Sequence, residues 1–363
     1  MTRTNFFVDC HVFDGPFQGT TTYLKGLYTE LIHDPDKFFF LASNDSAGLK
    51  TIFGEHENVT YLEYSSHNKF IRLLFDIPAM IKKHQIDYAH FQYIVPPLKF
   101  CKYIITVHDV LFLDFPEYFP FGYKLKNKLL FGKSTRYSDV VLTVSEYSKK
   151  QIQKHFGANG ITVTPNGVDA AYFESYDKSA VKAEVQKRYG FSEYWLFVSR
   201  WEPRKNHHTL LKAFVENKHY EKYHLVFVGG AAINNSAYND YFELLEPHIK
   251  SKIVKLDALK QKDLQLVLRA ASLSVYPSIA EGFGIPPLES IAADVPTICS
   301  DATAMADFDF MSSHLFNPLN SKDISDTAVL ALADEETAAQ RVAVMKKYNW
   351  AVAAAAFRKA LQQ

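Results

Sequence analysis

The sequence is short of the features that mark a disulfide scaffold, a metal centre or a membrane span. Three cysteines occur in 363 residues. Cys10, Cys101 and Cys299 are far apart and lack the close spacing of a zinc site or a disulfide framework, so they read as buried thiols in a reducing compartment. No apolar run approaches the ~18 residues of a spanning helix. The apolar stretch around Phe6-Phe-Val8 is too short for a signal-peptide core. These absences predict a cytoplasmic protein. Net charge is missing too: 40 Lys and Arg balance 40 Asp and Glu, and nothing global announces a nucleic-acid binder. Low-complexity segments and short-period repeats are absent.

What is present is a chain long enough for two domains of roughly 100–200 residues each, and two domains imply a cleft. The composition, 47% apolar and 22% charged, is that of a globular protein. Short apolar runs alternate with longer amphipathic stretches, the pattern of βαβ units around parallel sheets. In the first half, Phe6–Val8, Lys37–Ala42, Tyr88–Phe91, Tyr103–Val107 and Val140–Val144 read as strands, with helices over Thr20–Ile32 and Phe70–His84. Turn chemistry at Thr164-Pro-Asn-Gly-Val-Asp169, followed by a polar helical stretch Lys178–Tyr189, predicts a domain boundary. The pattern restarts with strands at Trp195–Ser199, Leu225–Val228, Ile253–Leu256, Leu273–Tyr276 and Thr297–Cys299 and a helix over His208–Val215. The expectation is a Rossmann-like domain over residues 1–175, a second Rossmann-like domain over 176–345, and an Ala-rich helix over 346–363 packing back towards the first.

Aromatic residues make up 15% of the chain, and several sit beside cations in Asn68-Lys-Phe-Ile-Arg-Leu-Leu-Phe75 and Lys124-Leu-Lys-Asn-Lys-Leu-Leu-Phe131. Between Lys69 and Lys150 there are 13 Lys and Arg against 7 Asp and Glu. Such segments are either solvated helix faces or a surface attracted to anionic lipid head groups.

Chemistry concentrates in three places. The segment Pro277-Ser-Ile-Ala-Glu-Gly-Phe-Gly-Ile-Pro-Pro-Leu-Glu-Ser290 follows an apolar strand and opens a helix. Gly282 and Gly284 allow close backbone approach, and Pro286 or Pro287 suits a first helical turn, so amide N–H groups and the helix dipole face an incoming anion. Glu281 then lies on the loop and Glu289 in the first turn. Two carboxylates beside an anion site repel it unless hydroxyl-rich groups intervene, which is what sugars supply. The plainer alternative makes Glu281 a solvated loop residue and Glu289 a charge favouring the helix dipole. In Ser199-Arg-Trp-Glu-Pro-Arg-Lys-Asn-His207, also between a strand and a helix, Arg200 and Lys205 can converge on one anion, the Arg by a bidentate fork and the Lys as a point charge. A solvated basic loop is the alternative. His108, at the carboxyl end of a strand, stands where open α/β sheets bind ligands, although a lone histidine is more often structural.

On these residues the chain resembles the family 4 retaining glycosyltransferases of the GT-B fold over nearly its whole length. Glu281 to Glu289 matches that family's Glu-x7-Glu element, with Gly282, Phe283, Gly284, Ile285 and Pro286 between. Arg200 and Lys205 match its paired basic residues before a helix. Thr164-Pro-Asn-Gly-Val-Asp169, which carries Asn166, and Val144-Ser-Glu-Tyr-Ser148 match as well. In the first domain the resemblance implies roles for Thr106-Val-His-Asp-Val110 and for the loop Gly15-Pro-Phe-Gln-Gly-Thr20, whose Gly19 and Thr20 would cradle a diphosphate. Two positions depart from the family: Gln18 stands where a glycine is common, and Ala292-Ala-Asp-Val-Pro296 replaces a Cys-Gly before the Val-Pro.

The resemblance implies two doubly wound parallel-sheet domains facing across a cleft and a sugar moved from a nucleotide donor with retained configuration. Arg200, Lys205 and the helix amides would stabilise the departing diphosphate, Glu281 orient the hexose, Glu289 hold the ribose, and His108 position sugar or acceptor. The nucleotide-sugar is a substrate, and neither a cofactor nor a metal is expected. Asp34-Pro-Asp36 and Asp307-Phe-Asp309 satisfy an Asp-x-Asp pattern used for metal in another glycosyltransferase fold, but so short a pattern arises by chance. Similarity of the His108–Glu117 and Trp201–Asn206 segments to bacterial mannosyltransferases of surface polysaccharide synthesis favours GDP-mannose and a glycan or lipid-linked glycan acceptor. UDP-glucose and related donors stay open. Alternative readings are a sugar-nucleotide epimerase of the same fold, a glycoside hydrolase using the two glutamates as an acid pair, and a catalytically silent nucleotide-sugar-binding partner.

Overall fold

The computed structural model describes residues 3–15, 18–230, 233, 235–334 and 336–362. The chain divides into two compact units. One comprises the residues up to Gly167 together with those from Asn349 onward, the other Val168–Tyr348.

The first unit is built on a seven-stranded sheet of β1 (Thr4–Asp9), β2 (Lys37–Ser43), β3 (Val59–Glu63), β4 (Tyr88–Gln92), β5 (Lys102–Thr106), β6 (Val140–Thr143) and β7 (Thr162–Val163). The strands run in the order β3-β2-β1-β4-β5-β6-β7, and every pair is parallel. Helices on both faces exclude water from the central strands, which explains their unbroken apolar runs: Phe6, Phe7, Val8, Ile104 and Ile105 are all buried. β3 escaped the sequence reading because it is an edge strand whose side chains remain partly exposed, so no apolar run marks it. The two-residue β7 and the helix Ser46–Phe53 were not anticipated either. The helix expected over Phe70–His84 is interrupted: Lys69–Ile71 leads into a π-turn at Arg72–Asp76 before Ile77–Lys83 resumes. Pro78 supplies the reason, since it cannot donate to the carbonyl four residues earlier and its ring crowds that carbonyl.

The Ala-rich helix Trp350–Ala360 completes this unit by lying along the helix Gly19–Leu31. Its Phe357 meets the rings of Phe6, Tyr28 and His90. Trp350 lies so close to Gly26 that a Cβ there would come within 2.0–2.4 Å of three indole atoms.

The second unit carries β8 (Tyr194–Val198), β9 (His224–Val228), β10 (Ile253–Leu256), β11 (Leu273–Tyr276), β12 (Thr297–Ser300) and β13 (Leu315–Phe316), in the order β10-β9-β8-β11-β12-β13 and again all parallel. In each sheet the strand order reverses once, between β1 and β4 in the first and between β8 and β11 in the second. At such a reversal the flanking loops diverge and leave a crevice at the carboxyl ends of the strands. Asp294, in place of the family's glycine, adopts φ 57°, a left-handed geometry that Asp tolerates better than most residues. The expectation of three buried thiols needs correction at Cys101, which is only partly buried because it immediately precedes β5, at the amino-terminal end of that strand.

His207 is fully buried with neither ring nitrogen hydrogen-bonded, stacked on Trp201 with centroids 4.1 Å apart. Burial, then the neighbouring Lys205 and Lys255, push its pKa down to about 3.

Two outcomes follow from this packing. Gly26→Ala gains about 1 kcal/mol of helix propensity but must displace Trp350, so a net loss of about 1–3 kcal/mol is expected in urea unfolding. The unfolded chain protonates His207 near its ordinary 6.5, whereas the native chain does not until about 3. Stability therefore falls as pH drops through that interval, by about 1.4 kcal/mol per pH unit for this residue. His207→Phe should make the unfolding midpoint measurably less sensitive to acid.

Candidate functional site

In the second unit, β8 and β11 flank the strand-order reversal, and the two loops singled out in the sequence leave their carboxyl ends. β8 runs into Ser199–Glu202, a 3-10 turn at Pro203–Lys205 and the helix His207–Glu216. β11 runs through Pro277–Gly284 into the helix Ile285–Ala292. Asn206, at φ 63°, joins the loops: its Nδ2 donates to the carbonyls of Pro277 (3.1 Å) and Pro318 (2.6 Å), while its Oδ1 accepts from Thr209. The Ile279 amide donates to the Arg204 carbonyl at 2.8 Å.

Glu281 is the electrostatic centre of this edge. Its side chain is 16% exposed and meets Lys205 Nζ directly, with Arg204 Nη1 at 3.3 Å. Arg204 is itself fixed by Glu202 Oε2 at 2.8 Å and by the Ala280 carbonyl at 2.7 Å. The Glu281 amide donates to Thr303 Oγ1 at 3.0 Å, from a Thr303 held at φ 55°, a costly conformation for a β-branched residue. Burial alone would raise the carboxyl pKa. Lys205 and then Arg204 outweigh it and hold Glu281 ionised down to about 2. Burial lowers the Lys205 pKa, a shift that Glu281 partly offsets.

The structure thus brings Lys205 to Glu281 and leaves Arg200 apart, 66% exposed with Glu202 at 3.6 Å. Arg204 takes the position beside Glu281 that the sequence reading did not assign. Its signal was adjacency to Lys205 within one tight turn, which no strand or helix period reveals.

Gly284 has φ 108°, a conformation that favours glycine, and a Cβ there would lie 3.0 Å from Met305 Cγ, a tight contact besides. The helix starts at Ile285 with Pro286 in its opening positions. Phe283 is buried against Phe308 and Tyr348, which anchors the loop from Gly282 onward. Because the helix already starts at Ile285, four residues before Glu289, Glu289 falls in the second turn, which corrects its expected place in the first. Glu289 therefore gains less from the dipole than supposed. Burial raises its pKa to about 7, against the lowering effect of a hydrogen bond from Tyr172. Gln261 Nε2 donates to the Tyr172 hydroxyl at 3.1 Å. The two glutamates, similar in the sequence, thus sit in opposite electrostatic surroundings.

In the first unit, His108 follows β5 and is buried, its ring edge-on to Tyr23 at 5.0 Å. Its Nε2 donates to Gln92 Oε1 at 2.6 Å, which leaves Nδ1 as the acceptor. Burial drops its pKa to about 3, so the ring is a neutral acceptor. Behind it runs a buried polar chain: Gln92 reaches His90 Nε2 at 3.4 Å, and His90 bonds Tyr28 (2.7 Å) and Thr106 (2.8 Å). Asn166 is buried with its Oδ1 unpartnered. The helix Gly19–Leu31 opens at Gly19 and Thr20 after an extended Gln18, with no side-chain cap. Pro16 and Phe17 of the same loop lie outside the described residues.

In each Asp-x-Asp pattern one carboxylate is already engaged by a lysine. Asp34 pairs with Lys37, and both oxygens of Asp309 accept from Lys347, at 2.7 and 2.8 Å. Among the described residues one further group, His314, Asp334 and Glu336, has metal-ligand proximity. Both nitrogens of His314 are engaged, Nε2 by Asp334 at 2.7 Å and Nδ1 by Gln340 at 2.8 Å, so the group is a structural hydrogen-bond cluster.

Comparison with known proteins adds a family to this geometry. The model described as Glycosyltransferase Family 4 matches residues 17–172, and the one described as Glycosyl transferases group 1 matches residues 181–350. The O-antigen chain mannosyltransferase B of Escherichia coli is 24% identical over 318 residues, covering 81% of this chain and 83% of that protein. The O-antigen chain mannosyltransferase RfbU of Salmonella typhimurium is 32% identical over 201 residues, 54% of this chain and 51% of that protein. Among solved structures, Anabaena HepE in complex with UDP and glucose superposes with a TM-score of 0.73 at 15% identity, covering 99% of this chain and all of that one.

The raised Glu289 pKa is open to direct measurement. Infrared difference spectra of the ligand-free protein should show a carboxyl converting to carboxylate near pH 7, absent in Glu289→Gln. Tyr172→Phe removes a donor to the ionised form, so the transition should move to higher pH.

Proposed function

Because this chain belongs to glycosyltransferase family 4 and is a glycosyltransferase of the GT-B fold, we propose that it transfers mannose from GDP-mannose, with retention, to a glycan or lipid-linked glycan in surface polysaccharide synthesis. The observation that carries the reading is the pair Glu281 and Glu289 at the carboxyl edge of the second sheet, one locked as an anion against Lys205 and the other protonatable near neutrality. The mannose assignment is supported by two relatives named as O-antigen mannosyltransferases.

In the proposed mechanism Lys205 and the amino end of the helix Ile285–Ala292 stabilise the charge that develops on the leaving diphosphate. The exposed Arg200 adds a guanidinium fork as the donor arrives. Gly282, Gly284 and Ile285 present backbone amides, Phe283 and Pro286 hold that backbone in shape, and Gly19, Thr20 and Asn166 contribute further contacts to the donor. Glu281 accepts from hexose hydroxyls. Glu289 accepts from the ribose, whose hydroxyls stabilise its ionised form. His108, neutral and with Nδ1 as acceptor, orients a sugar or acceptor hydroxyl. The acceptor proton passes to the departing phosphate, and the positive groups named make a metal unnecessary.

Calorimetric titration without added metal, against GDP, UDP, ADP and their sugar conjugates, tests the donor. Selective binding of GDP-mannose is expected, and selective binding of a uridine or adenosine conjugate overturns the mannosyl assignment. Glu281→Gln should lower turnover by on the order of a hundredfold with little loss of nucleotide affinity. Glu289→Ala should weaken nucleotide binding. The opposite pattern reverses the two roles.

A further inference from the structure

The helix Phe121–Tyr137 anchors itself in the core through Phe131 but leaves an apolar stripe outside. Its buried residues are Asn127, Phe131, Gly132, Ser134 and Thr135, while Phe121, Leu125 and Leu129 are 76%, 54% and 66% exposed. These three are spaced four apart and form one stripe along the helix. A helix that folded only against its own domain would turn that stripe inward. The same helix carries four Lys and one Arg and no acidic residue.

A second segment joins the stripe. Phe70, in the first turn of the interrupted helix that begins at Lys69, and Phe75, in its π-turn, are 62% and 66% exposed. From Ser65 to Phe75 there is again no Asp or Glu. The segments touch through like charges: Lys69 lies within hydrogen-bonding reach of Lys126, whose proximity lowers the Lys69 pKa. Two crowded ammonium groups repel each other unless an anion sits between them. The surface therefore combines exposed apolar residues, interleaved lysines and a point where a phosphate relieves repulsion.

The geometry points to an anionic lipid bilayer as the occupant of this surface. Charge decides among the alternatives. A second copy of the chain would bring the same lysines face to face, and lysine is depleted in the cores of protein interfaces, whereas a long lysine stem lies readily along apolar surface with its head at a phosphate layer. Both segments begin at the carboxyl end of the first sheet, after β3 and β5. Docking thus holds that edge against the head groups, where an acceptor anchored in lipid is presented. The inference does not depend on which sugar is transferred.

The test is sedimentation of the full chain with vesicles of phosphatidylcholine alone or mixed with phosphatidylglycerol. Binding to the mixed vesicles only, weakened by added salt, is the expected result. Lys126→Glu with Lys128→Glu should weaken that partition by on the order of thirtyfold or more. Leu125→Ser with Leu129→Ser should abolish it, with far-ultraviolet circular dichroism and an unchanged urea unfolding midpoint of each variant confirming that the fold persists. Equal binding to both vesicle types, no binding to either, or binding unaffected by both variants overturns the proposal. Self-association in sedimentation velocity that is lost in Leu125→Ser with Leu129→Ser, with no vesicle binding, assigns the surface to a second copy instead.

Discussion

A carboxylate taken largely out of water survives as an anion only if cations are held against it, and the ligand-binding edge of the second unit is organised around that requirement at Glu281. Lys205 and Arg204 arrive on the loop after β8, while Glu281 arrives on the loop after β11. Their attraction ties together two loops that the reversal of strand order sets side by side. Removing a cation strands a charge in a poorly solvated place, which costs more than the pair itself contributes. The surrounding geometry shares the burden: Asn206 bridges the loops, and Thr303 is kept at an unfavourable φ by accepting from the Glu281 amide.

The same edge separates two identical side-chain types by environment alone. Glu281, beside two cations, stays ionised down to about 2, whereas Glu289, buried with a phenol donating to it and the Asp169 charge nearby, is protonated up to about 7. A permanently charged group keeps Lys205 in place before any ligand arrives. A group near its midpoint can change state when hydroxyls approach, so ligand binding and proton release become linked there. His108 shows the third outcome, a ring kept neutral by burial and held in one tautomer by Gln92, with further polar groups buried behind it.

The first unit divides its apolar residues unequally between inside and outside. Its sheet and the helix Trp350–Ala360 bury phenylalanines and alanines together, whereas the helix Phe121–Tyr137 turns Phe131 and small polar residues inward and leaves Phe121, Leu125 and Leu129 outward. The second arrangement gives up core packing within the unit and has a physical rationale only if something other than water covers the stripe.

Periodicity in the sequence determined the parallel-sheet class and most central strands, because a strand covered on both faces must be apolar throughout. Motif spacing located the two loops of the second unit, since glycines and prolines dictate a strand-to-helix turn wherever they occur. Edge strand β3, two-residue β7 and β13, and the π-turn before Pro78 were not legible, because partial burial and local backbone accommodation leave no period to read. Only the tertiary structure decided that Arg204 rather than Arg200 meets Glu281, that Glu289 stands one turn deeper in its helix, and that the two glutamates differ in charge state. Those properties depend on distances between residues far apart in the chain and on how much water reaches them, and neither is written in the order of the amino acids.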